Sequence, residues 1–330
     1  MRRTIETVAF WAVVFLGFGL FLFMKEYHMY YRGYRGESKK IRIERGSSAR
    51  DVAVLLEREG IIKHKTTFLI FHRLFFKGAP LQAGVYRFCR PLRTVDVIRK
   101  LVKGEIATFR VSVPEGLTVE ETAEVFSPYL YPPAFMEAAG NWWLIKDLDP
   151  EARDLEGYLF PDTYVFPEDV LPSLVVKRMV QNFKRKFTPE LKARAKEMGM
   201  SIREVVTLAS IIEKESSNDE EKPLISSVFH NRLKLGMPLQ SDPTIIYAMK
   251  KMGIWKGRLY RKHYRQVKSP YNTYLHRGLP PGPICNPGLS SIKAALYPAK
   301  TDYLYFIAVG GKHEFSRTYQ QHLQILRSRR

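Results

Sequence analysis

Two glutamates close an apolar segment, VVTLASIIEKESS at 205–217, and a carboxyl group in that setting is a candidate acid catalyst. Burial disfavours the charged form, so an acid on an apolar helix face is either paired or held protonated, ready to donate. At about 100° per residue, Val205, Leu208, Ala209, Ile211 and Ile212 share one broad face. Glu215 continues that face, following Leu208, Ile211 and Ile212 at i+7, i+4 and i+3. Glu213 falls at its edge and Lys214 on the opposite side. The geometry nominates Glu215 as the buried acid and leaves Glu213 as a solvated or ion-paired neighbour. The competing account is that both decorate a helix C-terminus, where negative charge is mildly unfavourable. The helix by itself leaves both accounts open.

The surroundings narrow the chemistry toward carbohydrate cleavage. Protonating a glycosidic oxygen needs a carboxylic acid whose pKa is lifted toward neutrality, which burial supplies. The loop at 269–278 is dense in hydroxyl and amide groups, and GMPLQSD at 236–242 can bring Gln240 and Asp242 beside the acid. Asp242-Pro243 also reads as an N-cap with proline at N1, opening a helix over 244–250. Other catalytic signatures are missing: there is no G-x-S-x-G, no H-E-x-x-H and no P-loop. His230, His263, His276 and His313 have no metal-ligand spacing and read as surface or structural residues. The Gly-Pro-rich run 278–288 reads as a rigid turn segment. Cys89 and Cys285 are the only cysteines, too few for a zinc cluster or a disulfide framework. Whether they pair stays open. Neither a metal nor a cofactor is expected.

The elements that must position these residues begin with a strand–cap–helix pattern. Residues 40–44 alternate as a strand, and Ser48-Ala49-Arg50-Asp51 is a capping box for a helix over 52–59. A strand at 84–88 precedes a helix capped by Thr94 and running to residue 102. A strand at 109–113 precedes a helix capped by Thr118-x-x-Glu121. Charged helices follow at 173–187 and 189–198, then the glutamate helix, then one over 223–235 with Asn218-x-x-Glu221 as its cap. From Gly236 the chain reads as loop-rich. With 330 residues there is room for two domains.

Residues 8–24 are 17 uncharged, mostly apolar positions behind Arg2 and Arg3. At about 1.5 Å per residue they reach roughly 26 Å, enough to cross a hydrocarbon layer. Tyr27, Tyr30 and Tyr31 supply an interfacial belt, and no A-x-A-like cleavage site follows. The segment is expected to be an uncleaved signal-anchor. Lys25, Arg32, Arg35, Lys39 and Lys40 follow it, so a positive-inside count keeps the large domain in the cytoplasm. Long domains translocate largely regardless of charge, so function must decide the side.

The formal charge of +20, from 53 basic and 33 acidic residues, demands an anionic neighbour or a tolerance for one. Nucleic acid, anionic lipid and an anionic wall polymer all qualify by charge. The basic residues are scattered and the compact nucleic-acid signatures are missing, so no nucleic-acid partner is expected.

LASIIEKES (208–216), SVFHNRLKLGMPLQSDPTIIY (227–247), YNTYLHRGLPPGPICNPG (271–288) and PAKTDYLYFIAVGGKHEFSRTYQQH (298–322) closely resemble the YceG-like endolytic murein transglycosylases. EGYLFPDTY (156–164) matches as well, and the likeness covers nearly the whole chain. It implies an α+β chain divided into a cytoplasmic tail (1–7), a transmembrane helix (8–24), a juxtamembrane linker (25–38), a small LysM-like module (39–105) and a catalytic domain (106–330). It also implies a lyase that cuts nascent peptidoglycan strands internally, leaving a 1,6-anhydro-MurNAc end. The family's catalytic glutamate falls on Glu215 of the Glu215-Ser216 pair, in agreement with the helix-face geometry. Glu213, Gln240, Ser241, Asp242, Tyr271, Asn272 and Tyr274 are candidates for the saccharide groove through their place in family motifs. The implied partners are glycan strands, the cytoplasmic membrane and peptidoglycan synthases. The substrate puts the catalytic part outside the cytoplasmic membrane, on a single-pass anchor.

Overall fold

The first helix, α1 (Arg2–His28), contains a stretch, Phe10–His28, long and apolar enough to cross a membrane, with mean hydropathy 1.5. The computed structural model describes residues 2–328, which divide into two units. One runs to Phe109 and includes Val165–Val170; the other holds Arg110–Tyr164 and everything from Leu171.

In the first unit α1 is followed by β1 (Tyr30–Tyr31), β2 (Lys39–Ile43), α2 (Ala49–Arg58), α3 (Lys65–Phe76), β3 (Gly84–Phe88), β4 (Leu92–Arg93) and α4 (Thr94–Lys103). β2 and β3 pair antiparallel, with Ile41 opposite Tyr86 and Ile43 opposite Gly84. Their alternation sends Ile41, Ile43, Tyr86 and Phe88 into a core with Val52, Leu56, Phe68, Phe71, Val97, Ile98 and Leu101. The Ser48–Asp51 capping box forms as expected. Thr94 is instead the first residue of α4, behind Arg93 as N-cap, and Gly104 closes the helix at φ 66°. Residues 25–38, expected as a linker, carry α1 on to His28 and then fold onto the unit. β1 pairs with β4, and the Tyr34 hydroxyl donates to the Phe88 carbonyl at 2.8 Å.

β5 (Thr108–Ser112) leads out of this unit and pairs with β6 (Thr163–Pro167). Between them lie α5 (Val119–Phe126), behind the expected Thr118–Glu121 capping box, and α6 (Pro132–Ala139). Next come α7 (Pro172–Lys186), α8 (Pro189–Glu197), α9 (Ile202–Glu215), α10 (Lys222–Lys234), α11 (Asp242–Lys251) and α12 (His263–Gln266). The chain closes with α13 (Leu289–Leu296), β7 (Tyr305–Val309), β8 (Lys312–Ser316) and α14 (Tyr319–Arg327). The last third is therefore less loop-rich than its sequence reads. Gly310 and Gly311, both at positive φ, make the two-residue turn of the β7–β8 hairpin.

α9 is the centre of the second unit. Its eight residues from Val205 to Ile212 are all buried, so the helix is enclosed on every side instead of along one stripe. α8, α10, α11 and α13 pack around it. A capping box between Ser201 and Glu204 starts it, and Ser216 ends it in an extended conformation. Helices and small two-stranded sheets together make the chain α+β, as expected.

Candidate active site

Enclosure of α9 brings its last turn, with both glutamates, out of the core against different neighbours. Their partners, more than their burial, tell them apart. Glu213, with its side chain 7 % exposed, receives the Gly288 amide at 2.9 Å and the Ser291 hydroxyl at 2.7 Å. Lys222, itself 2 % exposed, lies 3.5 Å from it and also reaches Asp219 and the Ser290 hydroxyl. Glu213 is thus the ion-paired neighbour, and it is not solvated.

Among the described residues, no cation is in hydrogen-bond contact with Glu215. Its Oε1 accepts one bond, from the Ser241 hydroxyl at 2.5 Å, and the residue stays half-buried with a face open to solvent. Burial pushes its pKa up to about 7. The serine bond opposes that shift, the charge of Asp242 adds to it, and His313 and Arg232 oppose it more weakly. The result is a carboxyl poised between its two protonation states near neutral pH.

Ser241 is held firmly for this role. It is the N-cap of α11, its amide donates to Thr273 Oγ1 at 3.0 Å, and its carbonyl accepts from Thr244 at 2.6 Å. Asp242, expected as the cap, is the first helical residue and forms no side-chain cap. Gln240 precedes the serine in the left-handed region at φ 52°, its amide on the Thr273 carbonyl and its side chain exposed. A non-glycine residue held there is a strained position of the kind that clusters at functional sites. Replacing Ser241 by Ala removes a bond that favours the ionised acid. The Glu215 carboxyl is then expected to titrate higher, by up to about one pH unit, in an isotope-edited infrared titration. An unmoved titration would show that the hydroxyl does not reach Glu215 in solution.

The remaining expected residues separate into two groups. Asp242 accepts from Tyr274 at 2.6 Å and from Tyr264 at 3.3 Å, and the two rings pack with centroids 4.5 Å apart. Asp242 and Tyr274 thus form a polar wall beside Ser241. Asn272 is fully buried: it donates to the carbonyls of Tyr264 and Val267 and accepts the Tyr274 amide. It shapes the loop and presents no polar atom to a ligand. Tyr271 packs against Tyr247, and its hydroxyl lies by Gly282 and Arg203. A hollow of about 810 Å³ opens at the opposite end of α9, bordered by Ser201, Arg203 and His230, away from Glu215.

Two charged groups near the acid, Arg232 and His313, are not among the expected site residues. Arg232 is 7 % exposed and donates to the carbonyls of Leu304 and Leu239, both at 2.7 Å. It follows Ile225, Val228 and Phe229 on the buried stripe of α10, so the test applied to Glu215 would have found it. His313 on β8 pairs with Glu221 at 2.6 Å, and the Ser216 hydroxyl reaches the same carboxylate. No local pattern predicts that pair, because β8 and the start of α10 meet only through tertiary packing. The Asn218 side chain bonds the Glu220 amide in a local turn, and Glu221 is the N-cap of α10.

Comparison with known proteins adds an independent line. Residues 41–328 match the YceG-like family. A Bacillus subtilis protein named endolytic murein transglycosylase is 35% identical over 302 residues, covering 86% of this chain and 82% of that protein. A Streptococcus pneumoniae protein of the same name is 30% identical over 313 residues; these are 85% of this chain but 56% of the longer relative. The crystal structure of a YceG-like protein from Listeria monocytogenes superposes with TM-score 0.60 at 33% identity, over 88% of this chain and 99% of its own.

Proposed function

The chain belongs to the YceG-like family, and on that premise we propose that it is a lyase acting on peptidoglycan, an endolytic murein transglycosylase with Glu215 as its catalytic residue. The observation that carries this reading is a lone carboxyl at the end of a core helix, held near neutrality by burial and one serine hydroxyl.

Protonated Glu215 donates to the oxygen between MurNAc and GlcNAc as the C1–O bond breaks. The resulting carboxylate then takes the proton of the C6 hydroxyl while that oxygen bonds to C1 of the same sugar. The ring so formed is the 1,6-anhydro end. No water is consumed, so one acid can serve both steps in turn. With Oε1 accepting from Ser241, the proton sits on Oε2, the oxygen left for the substrate. Exposed Gln240 and the Asp242–Tyr274 wall are proposed to line the saccharide groove.

The first unit is proposed to hold the glycan as a LysM-like module. α1 is proposed to be a membrane anchor, with the catalytic unit on the outer face where the substrate is made. Peptidoglycan synthases are the proposed protein partners, and termination of strand growth the proposed outcome.

Product analysis of uncrosslinked glycan strands tests the reading. Anhydromuramyl ends are expected by mass spectrometry; reducing ends would indicate hydrolysis, and intact strands a glycan-binding protein without activity. Because the donor must be protonated, kcat/KM is expected to fall about tenfold per pH unit above about 7. A rate unchanged two units higher would exclude Glu215 as the acid.

A further inference from the structure

We propose that the outward face of α3 is embedded in the interfacial layer of an anionic bilayer, so that the first unit is seated on the membrane and not suspended above it. This rests on the reading of α1 as a membrane span.

The two faces of α3 are both apolar. Phe68, Phe71 and His72 face the core. On the outward side Ile70 is 52% exposed and Leu74, one turn on, 60%. Phe75, 46% exposed, lies about 100° further round the helix, between that side and α1. Scattered exposed apolar residues are ordinary, but these three on one short helix extend the apolar surface of α1. That patch is joined to α1. The Phe75 ring lies 6.1 Å from Phe23 and 5.4 Å from Tyr27, and Phe71 lies 5.3 Å from Phe23. Phe23 belongs to the stretch able to cross the membrane and precedes its end at His28 by five residues, about 8 Å of helix. Whatever depth Phe23 takes, Phe75 and its neighbours share. The exposed surfaces of Phe21, Leu22 and Met24 continue the apolar area on the α1 side.

Charge completes the fit. α3 carries no acidic residue, while exposed Arg73 stands between Ile70 and Leu74 and exposed Lys77 follows the helix. Such side chains can lay their stems along the apolar patch and raise their charges to lipid phosphates. An apolar patch edged by cations and fused to a membrane helix fits an anionic lipid surface better than an aqueous one.

The test uses the full chain in phosphatidylglycerol nanodiscs. A nitroxide is placed at Leu74→Cys or at Leu16→Cys in a Cys89→Ser background, Cys285 being buried. Oxygen and water-soluble nickel accessibility are then compared with the free label in water. Position 74 is expected to show a severalfold higher oxygen-to-nickel ratio than the aqueous reference, approaching position 16. A membrane-like value at 16 with an aqueous value at 74 would overturn the proposal and leave the anchor standing. Aqueous values at both would remove the anchor, and the proposal with it. In phosphatidylcholine discs position 74 is expected to move toward the aqueous value; equal values in both lipids would overturn the anionic preference.

Discussion

Glu215→Gln is expected to lower glycan cleavage by about 10³-fold or more while making the protein more stable above neutral pH. Both effects come from one group. The amide cannot donate the proton that the leaving sugar needs or take the one from the C6 hydroxyl, so both steps fail together. Stability moves the other way because the folded protein binds this proton more tightly than the unfolded chain does. With the folded pKa up at about 7 against an ordinary 4.5, the contribution of Glu215 is fully present below about 4.5. It is lost as pH rises through about 7, where burying the charge costs the fold. A neutral glutamine escapes that loss. The variant should gain on the order of 1–3 kcal/mol at alkaline pH, allowing for the solvent contact Glu215 keeps, and nothing in acid. Thermal denaturation of both proteins across pH reads this directly. An inactive variant with no alkaline gain would mean that Glu215 is ionised and solvated, and the acid would have to be sought elsewhere.

Such a trade is consistent with how the helix is written. Eight buried residues in succession stabilise α9, and the chain then ends that helix with a carboxyl whose charge the fold resists. The sequence made this legible because the conflict is local: an apolar run and a charge where none should be. The capping boxes of α2 and α5 were legible for the same reason. α3 was not read at all. Its apolar residues fall on both its buried and its exposed sides, which blurs the periodicity that marks an amphipathic helix. β7 and β8 escaped because each strand buries little alone, and their meaning lies in His313 meeting Glu221 from the far end of the chain. The placement of Asn272 inside its loop shows the same limit from the other side. Its residue type fits sugar recognition, but its three bonds are spent on the loop backbone.

Glu213 and Lys222 set the second large expectation, which concerns first the fold. Lys222→Met is expected to destabilise the second unit by about 3–5 kcal/mol, because it strands a buried carboxylate. Glu213 would keep the Gly288 amide and the Ser291 hydroxyl but lose its cation, with 7 % of its side chain exposed to water. Adding Glu213→Gln should restore much of the loss. Glutamine keeps an acceptor for those two donors and carries no charge, so the double-mutant cycle should show a coupling of about 2 kcal/mol. Hydrogen exchange at α9, α10 and α13, the helices this pair joins, is the suitable readout, since it reports the second unit separately from the first. Glu213→Gln by itself should leave turnover within about tenfold of wild type, because its oxygens are engaged by α13 and not by Ser241. A collapse of turnover in Glu213→Gln with activity retained in Glu215→Gln would reverse the assignment of the two acids. Additive losses in the cycle would instead show that Lys222 answers mainly to Asp219, which lies 2.8 Å away at the start of the same turn.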